Sequence, residues 1–309
     1  MSDKYINLIC WLANYFLALA AAPLMIGIIN KVKAFFAGRR GPRLLQLYYD
    51  LGKLLRKSSV YSTSSGPVFK LAPWGNLASS LLLLLLLPAA CVSSPLAFGG
   101  DLILFIYLAG FGRMLTVLAA METASAFEGM GASRECQFSM LAEGVLLTVL
   151  AALVMLTRSF TLSGCLTTLN PENWLSGGTA LIFLALAFYL VMLCENCRVP
   201  VDDPETHLEL TMIHEAMILD NSGPDLGMIH YTAAMKMWLF AALLTRLLIP
   251  APLLTPAASL GFTVLGAVLV SLITGIIESS MARRRFLKLP RLMLAGVVLE
   301  TAAIIIALA

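Results

Sequence analysis

Charge is what this sequence has least of. Only 13% of its 309 residues are Asp, Glu, Lys or Arg, about half the roughly 25% of an ordinary soluble domain, which excludes a water-soluble globule of this length. Neither sign dominates: 21 Lys and Arg stand against 18 Asp and Glu, a formal +3, too little and too scattered for a nucleic-acid surface. Cysteine is also sparse. The six, at positions 10, 91, 136, 165, 194 and 197, mostly stand alone in apolar runs, where a thiol behaves as a small hydrophobe, so no disulfide framework is implied. Walker A, GxGxxG, GxSxG and four-cysteine iron–sulfur patterns are missing, which argues against nucleotide binding and covalent catalysis. His214-Glu215 lacks the second histidine of an HExxH helix. Cys194-Glu195-Asn196-Cys197 can be drawn with His207 and His214 as a zinc site, but its first cysteine falls inside an apolar span and no second knuckle follows.

What the chain has instead is apolar length. Hydrophobic residues make up 59% of it. A helix needs roughly 20 mainly apolar residues to cross about 30 Å of hydrocarbon, and that criterion yields eight spans: approximately 6–29, 73–92, 101–121, 137–157, 179–197, 230–250, 257–279 and 291–309. The first is too long for the apolar region of a signal peptide and lacks a small-residue cleavage site. The expected architecture is an all-α polytopic bundle forming a single membrane domain over 1–309. The stretch around Asn170, Pro171, Glu172, Asn173 and Gly177-Gly178 reads as a turn-rich outer connection. Lys and Arg concentrate in a basic loop, 30–72, and again at Arg283, Arg284, Arg285, Lys288 and Arg291. The positive-inside rule assigns both to the cytoplasmic side and both termini to the outer side of the cell inner membrane. Within the basic loop, Leu44, Leu47, Tyr48, Leu51, Leu54 and Leu55 recur at spacings of three and four, the pattern of an amphipathic helix lying either at the interface or against the bundle.

An ionisable group at bilayer depth costs at least about 2.5–3.5 kcal/mol, so each one needs a partner or a purpose. Arg113 falls in the third span, Glu143 in the fourth, Glu195 near the inner end of the fifth, Glu278 near that of the seventh and Glu300 midway along the eighth. Arg113 and Glu143 suit a proton path, with a structural ion pair as the alternative. Glu278 lies close enough to the arginine cluster for a surface or interfacial ion pair, and Glu300 suits a structural or protonated role. A second, acidic inner loop, 195–229, gathers Glu195, Asp202, Asp203, Glu205, Glu209, Glu215, Asp220 and Asp225. Carboxylates crowded at a membrane surface raise one another's proton affinity and can exchange protons, although a solvated acidic loop would look the same in sequence.

These segments resemble a known family. Arg39-Arg40-Gly41-Pro42, followed by Leu45-Gln46, Asp50, Lys53 and Leu54-Leu55, is similar to the first cytoplasmic loop of the complex I subunit 1 family, and in particular of its relatives in membrane-bound group 4 nickel–iron hydrogenases such as formate hydrogenlyase. Gly131-Ala132-Ser133-Arg134-Glu135 resembles the loop after the third span, the segment from Glu195 to Leu210 resembles the family's acidic loop, and Glu278-Ser279-Ser280-Met281-Ala282-Arg283 resembles the hydrogenase branch. The resemblance implies an inner acidic funnel lined by Glu195, Arg198, Asp202, Glu205 and Glu209. Arg113, Glu122, Glu143 and Lys236 fall where the hydrogenase relatives carry Arg, Asp, Glu and Lys, and His207, Glu215 and Asp220 join the proton-path candidates from the same loop. Arg39, Arg40, Arg134 and Glu135 become docking candidates.

The departures fall in the acidic loop. Cys197 stands where Asn is usual, Val201 where Phe is usual and His207 where a Glu is usual, which alters the part that would shape a quinone headgroup pocket. The resemblance therefore implies a non-catalytic membrane-anchor subunit of a hydrogenase-type complex, docking the large and small subunits of a soluble arm beside antiporter-like membrane subunits. It would hold no cofactor or metal itself, with a nickel–iron centre and iron–sulfur clusters in the partners, and would couple electron transfer to proton or sodium movement. A quinone-site subunit of a complex I-type oxidoreductase is the alternative, and a free-standing secondary transporter ranks last.

Overall fold

The computed structural model describes residues 2–63, 65–88, 92–169, 171–202, 212–249, 256–281 and 289–308, and among them every regular element is helical. In chain order these are α1 (Ser2–Phe36), α2 (Gln46–Leu54), α3 (Pro67–Leu86), α4 (Asp101–Glu122), α5 (Ala126–Thr157), α6 (Leu162–Thr167), α7 (Pro171–Glu195), α8 (His214–Met217), α9 (Gly223–Leu248), α10 (Pro256–Ser280) and α11 (Leu289–Leu308). Seven of them, α1, α3, α4, α5, α7, α10 and α11, are long and apolar enough to cross a membrane. The chain is an all-α, multi-pass membrane bundle. The remaining long helix, α9, falls where a sixth span is expected, but it carries Lys236 and Arg246 and is buried along most of its length. It is a central helix shielded from lipid by α1, α3, α7 and α10, which pack around it, so its polar groups do not face hydrocarbon.

Several boundaries differ from those expected, each for a physical reason. The second span starts at Pro67 rather than at 73, because proline suits the first turn of a helix, where its missing N–H is not needed. The supposed turn-rich connection at 170–178 is largely helix: Pro171 opens α7, and Gly177 (φ −131°, ψ 24°) interrupts it as a kink rather than a loop. The fourth span begins eleven residues earlier than expected, at Ala126. Hydropathy misses its first turns because they carry Glu128, Arg134 and Glu135, yet each charge has an internal setting. Glu128 accepts hydrogen bonds from the Thr123 hydroxyl and, at 3.1 Å, from the Asp220 N–H. Arg134 donates to the Met212 carbonyl at 2.9 Å.

α1 contains Pro23, which has no N–H to offer the Leu19 carbonyl one turn back. Tyr231 of α9 donates its hydroxyl to that oxygen at 3.0 Å, and Tyr48 of α2 donates to the next carbonyl, Ala20. The short α2 leaves Leu44, Leu45, Tyr49 and Leu55 exposed on its flanks and surface, so it is at once an amphipathic interfacial helix and a strut on the proline turn of α1. The basic and acidic loops meet directly. Ser222 exchanges hydrogen bonds with the backbone of Val60, and Tyr61 donates to Asp225 at 2.8 Å. At this junction Gly223 (φ +57°) would place any Cβ 2.7 Å from the Ser58 carbonyl, so the crossing requires glycine.

Tyr231→Phe should leave the Leu19 carbonyl unserved in an apolar setting and cost about 1–3 kcal/mol. The expected observation is a lower thermal unfolding midpoint in detergent, larger for Tyr231→Phe combined with Tyr48→Phe. An unchanged midpoint in the double variant would show that the proline turn is satisfied without them.

Candidate functional site

Arg113 lies three turns into α4, on a face buried against α5 and α7. One of its terminal nitrogens, Nη2, is 2.8 Å from Oε1 of Glu143 on α5 and 2.9 Å from Oε1 of Glu195 on α7. The two carboxylates are in different surroundings. Glu195 is fully enclosed, whereas the Glu143 side chain is 41% exposed. Glu195 also closes the C-terminal end of α7, where the helix dipole disfavours negative charge. Its stability there depends on the guanidinium opposite.

On one side the triad opens into a polar cavity walled by α3, α4, α5, α7, α8 and α9, with Asn76, Arg113, Glu135, Glu195, His214 and Lys236 among its lining. The space, about 50 Å³, admits a few water molecules. Glu195 Oε2, Asn196 Oδ1 and Thr232 Oγ1 are buried here without a hydrogen-bond partner among the described residues. His214 is half-buried at the cavity wall, and desolvation reinforced by Lys236 and Arg198 pushes its imidazole down to about 4, so it is neutral at physiological pH. Burial raises the Cys197 thiol well above its usual range, with Glu135 and Asp202 adding to the effect.

On its other side Glu143 opens into a long apolar groove between α4 and α5, a space of about 1400 Å³ bounded by Leu104, Tyr107, Phe111, Met114, Leu147 and neighbouring side chains. The carboxylate therefore stands between an internal polar cavity and a surface at membrane depth. Gly110, one turn before Arg113, makes room for it: a Cβ at this position would lie 2.9 Å from Glu143 Oε1.

The remaining expected site residues disperse. Glu135, expected to dock a partner, is buried and lines the cavity, because α5 extends through the segment read as a loop. Arg134 is half-buried and tied internally to Met212. Glu122 is outside the cavity and accepts the Phe69 N–H at 2.6 Å, serving the N-terminal turn of α3. Arg198 approaches Glu278 at 3.6 Å, and Lys33 reaches the same carboxylate at 3.3 Å. Glu278 is thus a buried acid between two cations rather than a surface group. Asp202 is buried and accepts the His214 N–H at 3.0 Å. Asp220 is exposed and Glu215 half-buried, and Glu300 is buried with one oxygen accepting from Thr148 at 2.9 Å. Glu205, His207 and Glu209 lie outside the described residues. Sequence reasoning missed Asn76, Thr116, Asn196 and Thr232 as cavity lining. The signal available was a solitary amide, Asn76, at the head of an otherwise apolar leucine run.

Arg39 borders a separate cleft at the C-terminal end of α1, and Arg40 lends its carbonyl to Lys31 at 3.0 Å. Both arginines are exposed.

Comparison with known proteins gives this arrangement its context. The chain is 34% identical to hydrogenase-4 component C of Escherichia coli (strain K12) over 93% of its own length and 91% of the relative's. It is 31% identical to formate hydrogenlyase subunit 4 of the same organism, covering 90% and 91% of the two chains. Its fold is like that of a chain in the membrane-bound sulfane sulfur reductase, an archaeal respiratory membrane complex, with a TM-score of 0.81, 20% identity and coverage of 96% and 99%. The NADH dehydrogenase family model matches residues 8–309, and the chain belongs to that family, as a complex I-like membrane subunit of the subunit 1 type.

Proposed function

We propose that this chain is the membrane anchor of a group 4 hydrogenase-type respiratory complex, seated in the cell inner membrane with both termini outside, and that it couples electron transfer in a docked soluble arm to proton or sodium translocation. The nickel–iron centre and iron–sulfur clusters belong, in this proposal, to the partner subunits. The observation that carries it is the Arg113 bridge. One guanidinium holds an enclosed carboxylate, Glu195, and a half-exposed one, Glu143, and so joins the inner polar cavity to the membrane-depth groove.

The chemistry follows from charge conservation in a medium of low dielectric. Three carboxylates, Glu135, Glu143 and Glu195, share the cavity region with two cations, Arg113 and Lys236. Adding or removing one proton changes the balance of every pair, and the low dielectric makes that change costly to ignore. A negative charge arriving at the inner mouth favours protonation of Glu195 and weakens its hold on Arg113, which then turns wholly to Glu143. Loss of that charge reverses the preference. The alternation moves a proton between water in the inner cavity and the groove without carrying an unpaired charge through hydrocarbon. The acidic loop supplies or receives the ion at the inner surface, and antiporter-like subunits receive or supply it at the groove. The hydrogenase-type assignment rests on the relatives' names and on coverage of about nine-tenths of their length.

Glu143→Gln keeps the side-chain shape and removes the titration. In reconstituted vesicles it should lower ion pumping by about tenfold or more, a barrier increase of about 1.4 kcal/mol, while leaving uncoupled electron transfer and assembly close to wild type. Normal pumping would make Glu143 a structural hydrogen-bonding group. Gly110→Ala should reproduce the defect more mildly, because the added methyl pushes the carboxylate away from Arg113. Wild-type pumping in this variant would mean that the 2.8 Å contact is not needed.

The basic loop is proposed to receive the soluble arm, with Arg40, of the expected docking residues, as the exposed cation outside the cleft that Arg39 borders. Replacing Arg40 by Gln should release that arm at moderate salt, measured by co-purification. Undiminished retention would reject the docking role.

A further inference from the structure

The cleft at the C-terminal end of α1 is distinct from the Arg113 cavity and plays no part in the proposed relay. It is about 500 Å³ in size and is lined by Asn30, Lys33, Phe36, Arg39, Pro42 and Ser279, with the short side chains between them. Its shape is fixed by the loop after α1. Gly41 (φ +57°) turns back against Ala34, and the Lys31 ammonium donates to the carbonyls of Arg40 and Pro42 at 3.0 and 3.4 Å. Both of these partners are neutral carbonyls.

Charge in and beneath the cleft is positive. Among the described residues, Lys33 and Arg198 both approach the Glu278 carboxylate, and Lys31 and Arg39 add two more cations. The chain continues from Ser279 into Arg283-Arg284-Arg285.

Apolar surface leads away from this cationic head along α10. Phe35 and Phe36, at the end of α1, are exposed beside the cleft, as aromatic rings are at a membrane–water boundary. On α10, the helix that contributes Ser279, the side chains of Leu265, Leu269, Ile273 and Ile276 are exposed at spacings of four, four and three. Continued by three more residues, that stripe reaches Ser279, so a lipid-facing apolar track runs up α10 and ends at the cations. A cationic cleft at headgroup level, joined to an apolar track at acyl-chain level, has the form of an amphiphile-binding site. An acidic protein segment would use the cations and leave the track without a purpose.

We propose that the α1–α10 cleft binds an anionic phospholipid of the inner leaflet, with its phosphate on Lys33 and Arg39, its headgroup hydroxyls toward Asn30 and Ser279, and one acyl chain along Leu265, Leu269, Ile273 and Ile276. Basic pockets between spanning helices on the cytoplasmic side are suited to such headgroups.

The test uses the full chain extracted in mild detergent with its co-extracted subunits, stripped of lipid, then titrated with dioleoyl-phosphatidylglycerol or dioleoyl-phosphatidylcholine and followed by native mass spectrometry. Arg39 is exposed, so Arg39→Gln leaves the bundle core untouched. The expected result is a phosphatidylglycerol-selective adduct whose affinity falls about fivefold in Arg39→Gln and is kept in Arg39→Lys. Equal phosphatidylglycerol binding by wild type and Arg39→Gln would overturn the proposal. So would displacement of the adduct by millimolar inorganic phosphate, which would make this an anion site without a lipid, or loss of a co-extracted subunit from Arg39→Gln with the adduct unchanged, which would assign Arg39 to a protein contact.

Discussion

A guanidinium at bilayer depth keeps its proton, being the most basic of the side chains, and it cannot be left without a partner, since desolvating an ion costs several kcal/mol. Arg113 meets both constraints by facing two carboxylates from two other helices. The consequence is architectural as well as chemical. α4, α5 and α7 must meet at one depth and in one rotational setting for Glu143 and Glu195 to reach the same nitrogen. The glycine at 110 and the enclosed end of α7 at Glu195 belong to that setting. The same pairing creates an imbalance, because one carboxylate is sealed and the other is half open.

The surrounding helices hold that junction in place. α9 surrounds Lys236 with protein, so a second cation reaches the cavity without meeting lipid. The Glu128 carboxylate joins the end of α4, the start of α5 and the loop before α9 through Thr123 and the Asp220 N–H. Tyr231 and Tyr48 stabilise α1 where Pro23 breaks its hydrogen-bond ladder. These are all backbone or carboxylate needs met by residues far away in sequence, and they account for much of the polarity that an apolar chain nevertheless retains.

Charges that look alike in sequence have separate roles in the structure. Within the acidic segment, Asp225 takes the Tyr61 hydroxyl, Asp202 takes the His214 N–H, and Glu195 takes Arg113. Glu135 was legible as a charge in a loop, yet it is a wall of the cavity, because helix α5 runs straight through that loop. Glu122 was legible as a carboxylate at the end of a span, yet its oxygen serves the first turn of α3. In each case a short-range pattern identified the ionisable group, and only a contact from a distant element decided what it does.

Composition and hydropathy by themselves determined that the chain lives in a membrane, that it is helical, and roughly where its spans run, because lipid tolerates only backbones that satisfy their own hydrogen bonds over about 20 residues. The pattern of cations and the family motifs were equally local and equally legible. The tertiary structure alone decided that α9 is wrapped by its neighbours, that Gly177 kinks a helix instead of ending one, and that Arg113 bridges an enclosed and a half-open carboxylate. Burial and partnership are properties of pairs of segments separated by tens of residues. A linear pattern records the cost of placing a charge in the membrane, but not which distant side chain offsets it.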